Sequence, residues 1–301
     1  MQIYEKAYKL IVFLIGANIK GSSILRRLYM EKIKNNGLKV FIGVVIGLSI
    51  ICDFFIITKG SDILYLALMW IPALAAFISN VYESIKSNEK FNIKIFFNNL
   101  GFRLCNVKYI LISVLIPLVY LLIPYIIHWI IYPDDFAYSG VSIILILKDC
   151  LPILLLGTIF GLFSALGEEI GWRGYFVPRL NELYGEKKAL IFSSLFWCLW
   201  HLPLIIGGAY LSDIPLYYQI PMFIICIFPV GLICGFLSLK TNSVWPSAFL
   251  HSAHNNYDQG VFQLITRGKY MYYLVSETGI FTAICVWAIV FGFNIINKRK
   301  K

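Results

Sequence analysis

The chain has 301 residues, 59% of them hydrophobic and 14% charged, with a mean hydropathy of +0.76. A soluble domain carries about 25% charged residues, so a soluble architecture is excluded and an integral membrane protein built as one helical bundle is expected. The net charge of +10 does not point to nucleic acid, because the basic residues fall between apolar runs, as the positive-inside rule demands.

In chain order, residues 1–38 read as a basic amphipathic segment lying on the cytoplasmic face. They carry Lys6, Lys9, Lys20, Arg26, Arg27, Lys32 and Lys34 around a short apolar run. Residues 39–301 read as a transmembrane bundle. About 20 apolar residues are needed to cross the hydrocarbon core. Eight runs qualify: Val40–Thr58, Ile63–Val81, Tyr109–Tyr132, Val141–Glu169, Ala189–Gly207, Ile220–Leu239, Val244–Leu264 and Gly279–Ile296. The fold class expected is therefore all-α, a polytopic bundle of about eight spans with a polar site inside the membrane. The 82–106 connection, with Phe91, Ile93, Ile95, Phe96 and Phe97, is expected to form an interfacial helix.

Lysine and arginine cluster in the N-terminal segment, in the loops after spans two, four and six, and in the tail 298–301. The opposite loops hold Asp62, Asp134, Asp135 and Asp213. With eight spans this distribution places both termini in the cytoplasm. The cell membrane of a bacterium is the expected location. The seven cysteines are odd in number and form no CxxC pair, which argues against a disulfide framework or a cysteine zinc site.

The informative residues are polar groups inside the apolar runs. A charged side chain at membrane depth costs about 2.5–3.5 kcal/mol on insertion scales. Even so, Glu168 and Glu169 stand side by side at the end of the fourth run, with Arg173 four residues after the second. On a helix Glu169 and Arg173 share a face, acid first, the favourable order. Glu169–Arg173 then forms a structural clamp, and Glu168, turned about 100° away, stays free to act as a general base. His201 lies in the fifth run. His251 and Asn255 are one turn apart on the seventh and present two donors to one side. That pair fits an oxyanion site. Alternatively His201, His251 and Glu168 supply three ligands for a divalent metal such as zinc. His254, His128 and Asp53 rank lower, as interfacial or bonded groups.

Taken together the three motifs resemble those of the CPBP family of intramembrane proteases, which includes the CAAX prenyl endopeptidases and the Abi proteins linked to bacteriocin self-immunity. EExxxR corresponds to Glu168, Glu169 and Arg173. FxxxH keeps His201 but has Trp197 at the phenylalanine position, a change expected to bear on packing. HxxxN corresponds to His251 and Asn255. The resemblance spans about residues 150–260, the expected catalytic core. It implies an intramembrane endopeptidase, with Glu168 activating water, His201 assisting, His251 and Asn255 holding the oxyanion, and Glu169 and Arg173 orienting the helix end. Both a metallopeptidase chemistry and a metal-free glutamate chemistry are described for the family. The partners implied are the lipid bilayer and a membrane-associated peptide or protein cut near the cytoplasmic face.

Two other readings compete. One is a non-proteolytic bacteriocin self-immunity or scaffold protein. The other is a proton-coupled transporter, which no inverted repeat supports. A geometric difficulty also stands. Glu168 sits near one end of its run, whereas His251 lies about seven residues, roughly 10 Å, and His201 about twelve residues, roughly 18 Å, into theirs. Tilt, or a cytoplasmic helix over residues 173–188, must close that gap.

Overall fold

The computed structural model describes residues 23–211 and 214–298. Residues 1–22 of the basic segment, Asp213 and tail residues 299–301 lie outside them. Among the described residues the chain is helical throughout, with one isolated bridge between Phe136 and Thr266. The helices are α1 (Ser23–Lys59), α2 (Asp62–Ser87), α3 (Ile93–Asn99), α4 (Val107–Ile131), α5 (Ile143–Glu169), α6 (Val177–Tyr184), α7 (Glu186–Ile206), α8 (Leu216–Thr241), α9 (Trp245–Tyr257), α10 (Met271–Leu274) and α11 (Ile280–Lys298). Residues 23–38 are thus the first part of one helix that continues into the first span.

Local chemistry sets the ends. Gly60, Asn88, Gly185 and Asn242 take positive φ where α1, α2, α6 and α8 stop, a conformation open to glycine and tolerated by asparagine. Asn92 and Asn106 cap α3 and α4, their side chains accepting from the backbone N–H of Lys94 and Lys108. Prolines such as Pro72, Pro117 and Pro203 sit inside the spans, where neighbouring helices meet the freed backbone groups. Ile130, Ile144 and Phe160 point outward, as contact with lipid tails requires.

Among the described residues six helices are long and apolar enough to cross a membrane: Arg26–Lys59, Asp62–Ser87, Val107–Ile131, Ile143–Tyr184, Glu186–Ile206 and Leu216–Thr241. The two other segments expected as spans differ. The last has a shorter apolar stretch, Ile280–Gly292. The seventh is α9 followed by a π-helical turn, Asp258–Phe262. It is polar and mostly buried, packed against α4, α5 and α8. Its neighbours, not lipid, are its solvent.

The fourth span does not end at Glu169. A π-helical turn, Ile170–Phe176, joins α5 to α6, so the helical run extends to Tyr184. Glu168 and Glu169 therefore lie within a 42-residue helix, not at its end. That continuation includes the helix Val177–Tyr184, within the 173–188 stretch expected to be helical. The turn is wholly buried and packs on α2. Close approach is possible because the contact residues are glycines. A Cβ at Gly171 would overlap the backbone of Pro72, and one at Gly174 would sit 2.9 Å from the Leu100 carbonyl oxygen. Phe41 of α1 covers the outer side, against Trp172, Tyr175 and Phe176.

Gly171→Ala must push α2 and the π turn apart. It is expected to cost about 1–3 kcal/mol and to lower the thermal midpoint in detergent. Gly43→Ala, where a Cβ meets nothing within 4 Å, should leave the midpoint unchanged or higher. Equal midpoints for the two variants would refute the close packing.

Candidate active site

The end of α5 delivers two carboxylates into different surroundings. Glu169 is fully buried. Its Oε1 accepts from Arg173 Nη1 at 2.7 Å and from His251 Nδ1 at 2.9 Å. Its Oε2 is buried without a donor. The i, i+4 pairing read from the sequence thus persists into the π turn. The Arg173 guanidinium lies over the Trp197 ring, 4.3 Å from its centroid, and the Arg173 carbonyl accepts from the Ser238 hydroxyl on α8. One carboxylate therefore ties α5, the π turn and α9 together.

Glu168, 2% exposed, has no cationic partner within hydrogen-bond reach. Its Oε2 accepts from Trp197 Nε1 at 2.8 Å and more weakly from Trp172 Nε1 at 3.4 Å. Its Oε1 carries no hydrogen bond among the described residues. Trp197 is more than the packing substitute expected at the motif's phenylalanine position. Its indole N–H holds Glu168, and its ring carries Arg173 on one face. Its ring also meets His201 and His251 edge-on, with centroids 5.5 and 5.3 Å away.

His201 is partly exposed. Its Nδ1 lies 2.8 Å from the Trp197 carbonyl oxygen. A carbonyl only accepts, so Nδ1 carries the proton and Nε2 keeps its lone pair in the neutral ring. His251 is buried, with Nδ1 committed to Glu169 and Nε2 left over. Asn255 follows one turn later on α9. It is partly exposed, and its side chain makes no hydrogen bond among the described residues. The structure therefore gathers Glu168, His201 and His251 around Trp197, and leaves Asn255 beside them with its amide unspent.

His254 belongs elsewhere. Its Nδ1 meets the Tyr120 hydroxyl at 2.8 Å and its Nε2 meets Glu277 at 3.1 Å. Glu277 also accepts from Tyr210, at 2.5 Å, and from Gln259. Asp258 accepts from Tyr125, Ser276 and Gln263. This second buried network stands behind the first, and the Tyr210 ring lies 6.2 Å from that of His201. Sequence reasoning passed over Tyr210, Asp258 and Glu277. The available signal was two acids in an otherwise apolar C-terminal quarter, one of them four residues after His254. His128 is bonded to Asp135 at 3.0 Å, and Asp53 is buried with an oxygen lacking a donor.

Among the described residues no three His, Cys, Asp or Glu side chains are grouped to hold a metal ion. A catalytic zinc takes three protein ligands. Glu168 Oε1 and one nitrogen on each histidine are unengaged, but they are not grouped closely enough for a three-ligand centre as packed.

Residues 150–257 match the family model described as Type II CAAX prenyl endopeptidase Rce1-like. The matched stretch contains Glu168, Glu169, Arg173, His201, His251 and Asn255. CAAX prenyl protease 2 of Methanococcus maripaludis is 29% identical over 248 residues, covering 78% of this chain and 85% of that protein. Residues 150–257 are thus similar to the Rce1-like CAAX prenyl endopeptidases, and most of the chain is similar to a CAAX prenyl protease.

Proposed function

We propose that the protein hydrolyses peptide bonds of membrane-associated substrates, with Glu168 as the general base acting on water. The observation that carries this reading is the contrast between two adjacent buried carboxylates. Glu169 is consumed by Arg173 and His251, whereas Glu168 is held by one oxygen and free at the other. A positioned base of this kind contributes about 10²–10⁴-fold to a proton transfer. The histidine Nε2 atoms and the Asn255 amide supply the rest.

In this mechanism water sits between Glu168 Oε1 and His201 Nε2. Glu168 takes a proton as the water oxygen bonds to the scissile carbonyl carbon. The carbonyl oxygen becomes an oxyanion, met by the Asn255 amide and by the Nε2–H of His251 in its imidazolium form, whose Nδ1–H the Glu169 carboxylate holds. The proton held by Glu168 then passes to the leaving nitrogen as the C–N bond breaks. Trp197 fixes the geometry of base and histidine at once, through its indole N–H and its carbonyl. No step requires a metal. The end of the bundle carrying the lysine and arginine loops faces the cytoplasm, by the positive-inside rule, and the substrate is cut nearer that side. The name of the archaeal relative makes a prenylated carboxy-terminal peptide the first substrate class to assay.

Three outcomes follow. In liposomes, Glu168→Gln should abolish cleavage of a membrane-peptide library while keeping the wild-type thermal midpoint. Retained cleavage would remove Glu168 from the chemistry, and no cleavage by folded wild-type protein would favour an immunity or scaffold role. Glu169→Gln should behave differently. It strips a buried guanidinium of its carboxylate, a loss of about 3–5 kcal/mol, and should lower the midpoint as well as the rate. Finally, dialysis against a strong chelator should leave the rate unchanged. A loss restored by added zinc would overturn the metal-free mechanism.

A further inference from the structure

A cavity of about 490 Å³ opens among α1, the end of α2, the 88–103 connection, the π turn, α6 and the end of α8. None of Glu168, His201, His251 and Asn255 lines it. It touches the active site through one residue, Arg173, which forms part of the wall. The cavity is polar and rich in cations. Arg103, Arg179, Lys34 and Lys90 line it with Arg173.

The charges are unevenly spent. Glu83 and Glu182 line the same cavity, but both are engaged. Arg179 pairs with Glu83 at 2.5 Å and with Glu182 at 2.7 Å, and Lys34 pairs with Glu182 at 2.8 Å. Arg103 has no carboxylate partner among the described residues and donates only to the Asn98 carbonyl. Lys90 makes no ion pair among them. Glu89, an exposed residue of the wall, is the one acid there without a partner.

Two arginines also hold donors in reserve. A guanidinium has five N–H groups. Arg173 is only 2% exposed, and the sole side-chain hydrogen bond it makes among the described residues is the one from Nη1 to Glu169. The Arg179 Nε is buried with no acceptor. A buried donor left unmet costs about 1–3 kcal/mol, so the Arg179 Nε calls for an acceptor that the described residues do not provide.

We infer that this cavity is a binding site for a phosphate-type oxyanion. Arg103, Arg173 and Arg179 line it from three different elements. That arrangement suits a tetrahedral anion better than a flat carboxylate, which one guanidinium fork can satisfy. The anion is either free phosphate or the phosphate of a lipid headgroup. It bonds the guanidinium edge that Glu169 leaves open, so it steadies the clamp from behind. Binding itself does not depend on the protease reading, and its test needs no substrate.

The full chain is placed in phosphatidylcholine nanodiscs and titrated with inorganic phosphate against chloride at matched ionic strength. Calorimetric heat and thermal midpoint are read together. Saturable heat with a rising midpoint, weakened at least tenfold by Arg103→Gln, is the expected result for free phosphate. Arg103 is exposed and unpaired, so this variant folds, and it leaves the catalytic residues untouched. Discs containing phosphatidylglycerol separate the two sources. A midpoint already raised there in the wild type but not in Arg103→Gln, with no further response to phosphate, assigns the site to the lipid headgroup. No stabilisation beyond chloride by either source, or responses that Arg103→Gln leaves unchanged, would overturn the inference.

Discussion

The structure turns on the Glu169 carboxylate, shared between Arg173 and His251 in the interior of a membrane bundle. An isolated charge there is too expensive to keep, so each of the three groups is held by the others. Arg173 is neutralised by Glu169 and covered by Trp197. His251 is oriented by the same oxygen. Breaking the clamp exposes a charge to an apolar interior, which is why its geometry is fixed and why its neighbour Glu168 can stand without a cation beside it.

The π turn makes that arrangement possible. It carries the helix of the fourth span past Glu169 without a break and so leaves the glutamate pair within it. Its two glycines allow α2 and the 88–103 connection to close on it. It also sets Arg173 between two compartments, the candidate site through Glu169 and the basic cavity that it lines. Trp197 has a comparable double duty: its indole holds Glu168 and its carbonyl sets the His201 tautomer.

Much of this was legible in the sequence. Apolar runs located the long helices, because lipid demands about 20 such residues in a row. The four-residue spacing of Glu169 and Arg173 gave their bond, and the three polar motifs gave Glu168, His201, His251 and Asn255 as neighbours. Other features were not legible, for physical reasons. Residues 170–176, with two glycines and an arginine, look like the end of a span, since nothing local announces a π turn. α9 was counted within a full membrane span because apolarity does not distinguish burial in protein from burial in lipid. Trp197 looked like packing, because an indole N–H declares its acceptor only in three dimensions. The Tyr210–Glu277–His254 network joins residues far apart in the chain, and no spacing rule connects them.

The central claim is that Glu168 activates water and does not itself attack the substrate. Cleavage over several turnovers in H₂¹⁸O, followed by mass spectrometry of the product and of the enzyme peptide carrying Glu168, tests it most directly. The account predicts ¹⁸O in the new carboxyl group of the product and none in Glu168. Label in the Glu168 carboxylate would reveal an acyl-enzyme anhydride and contradict it.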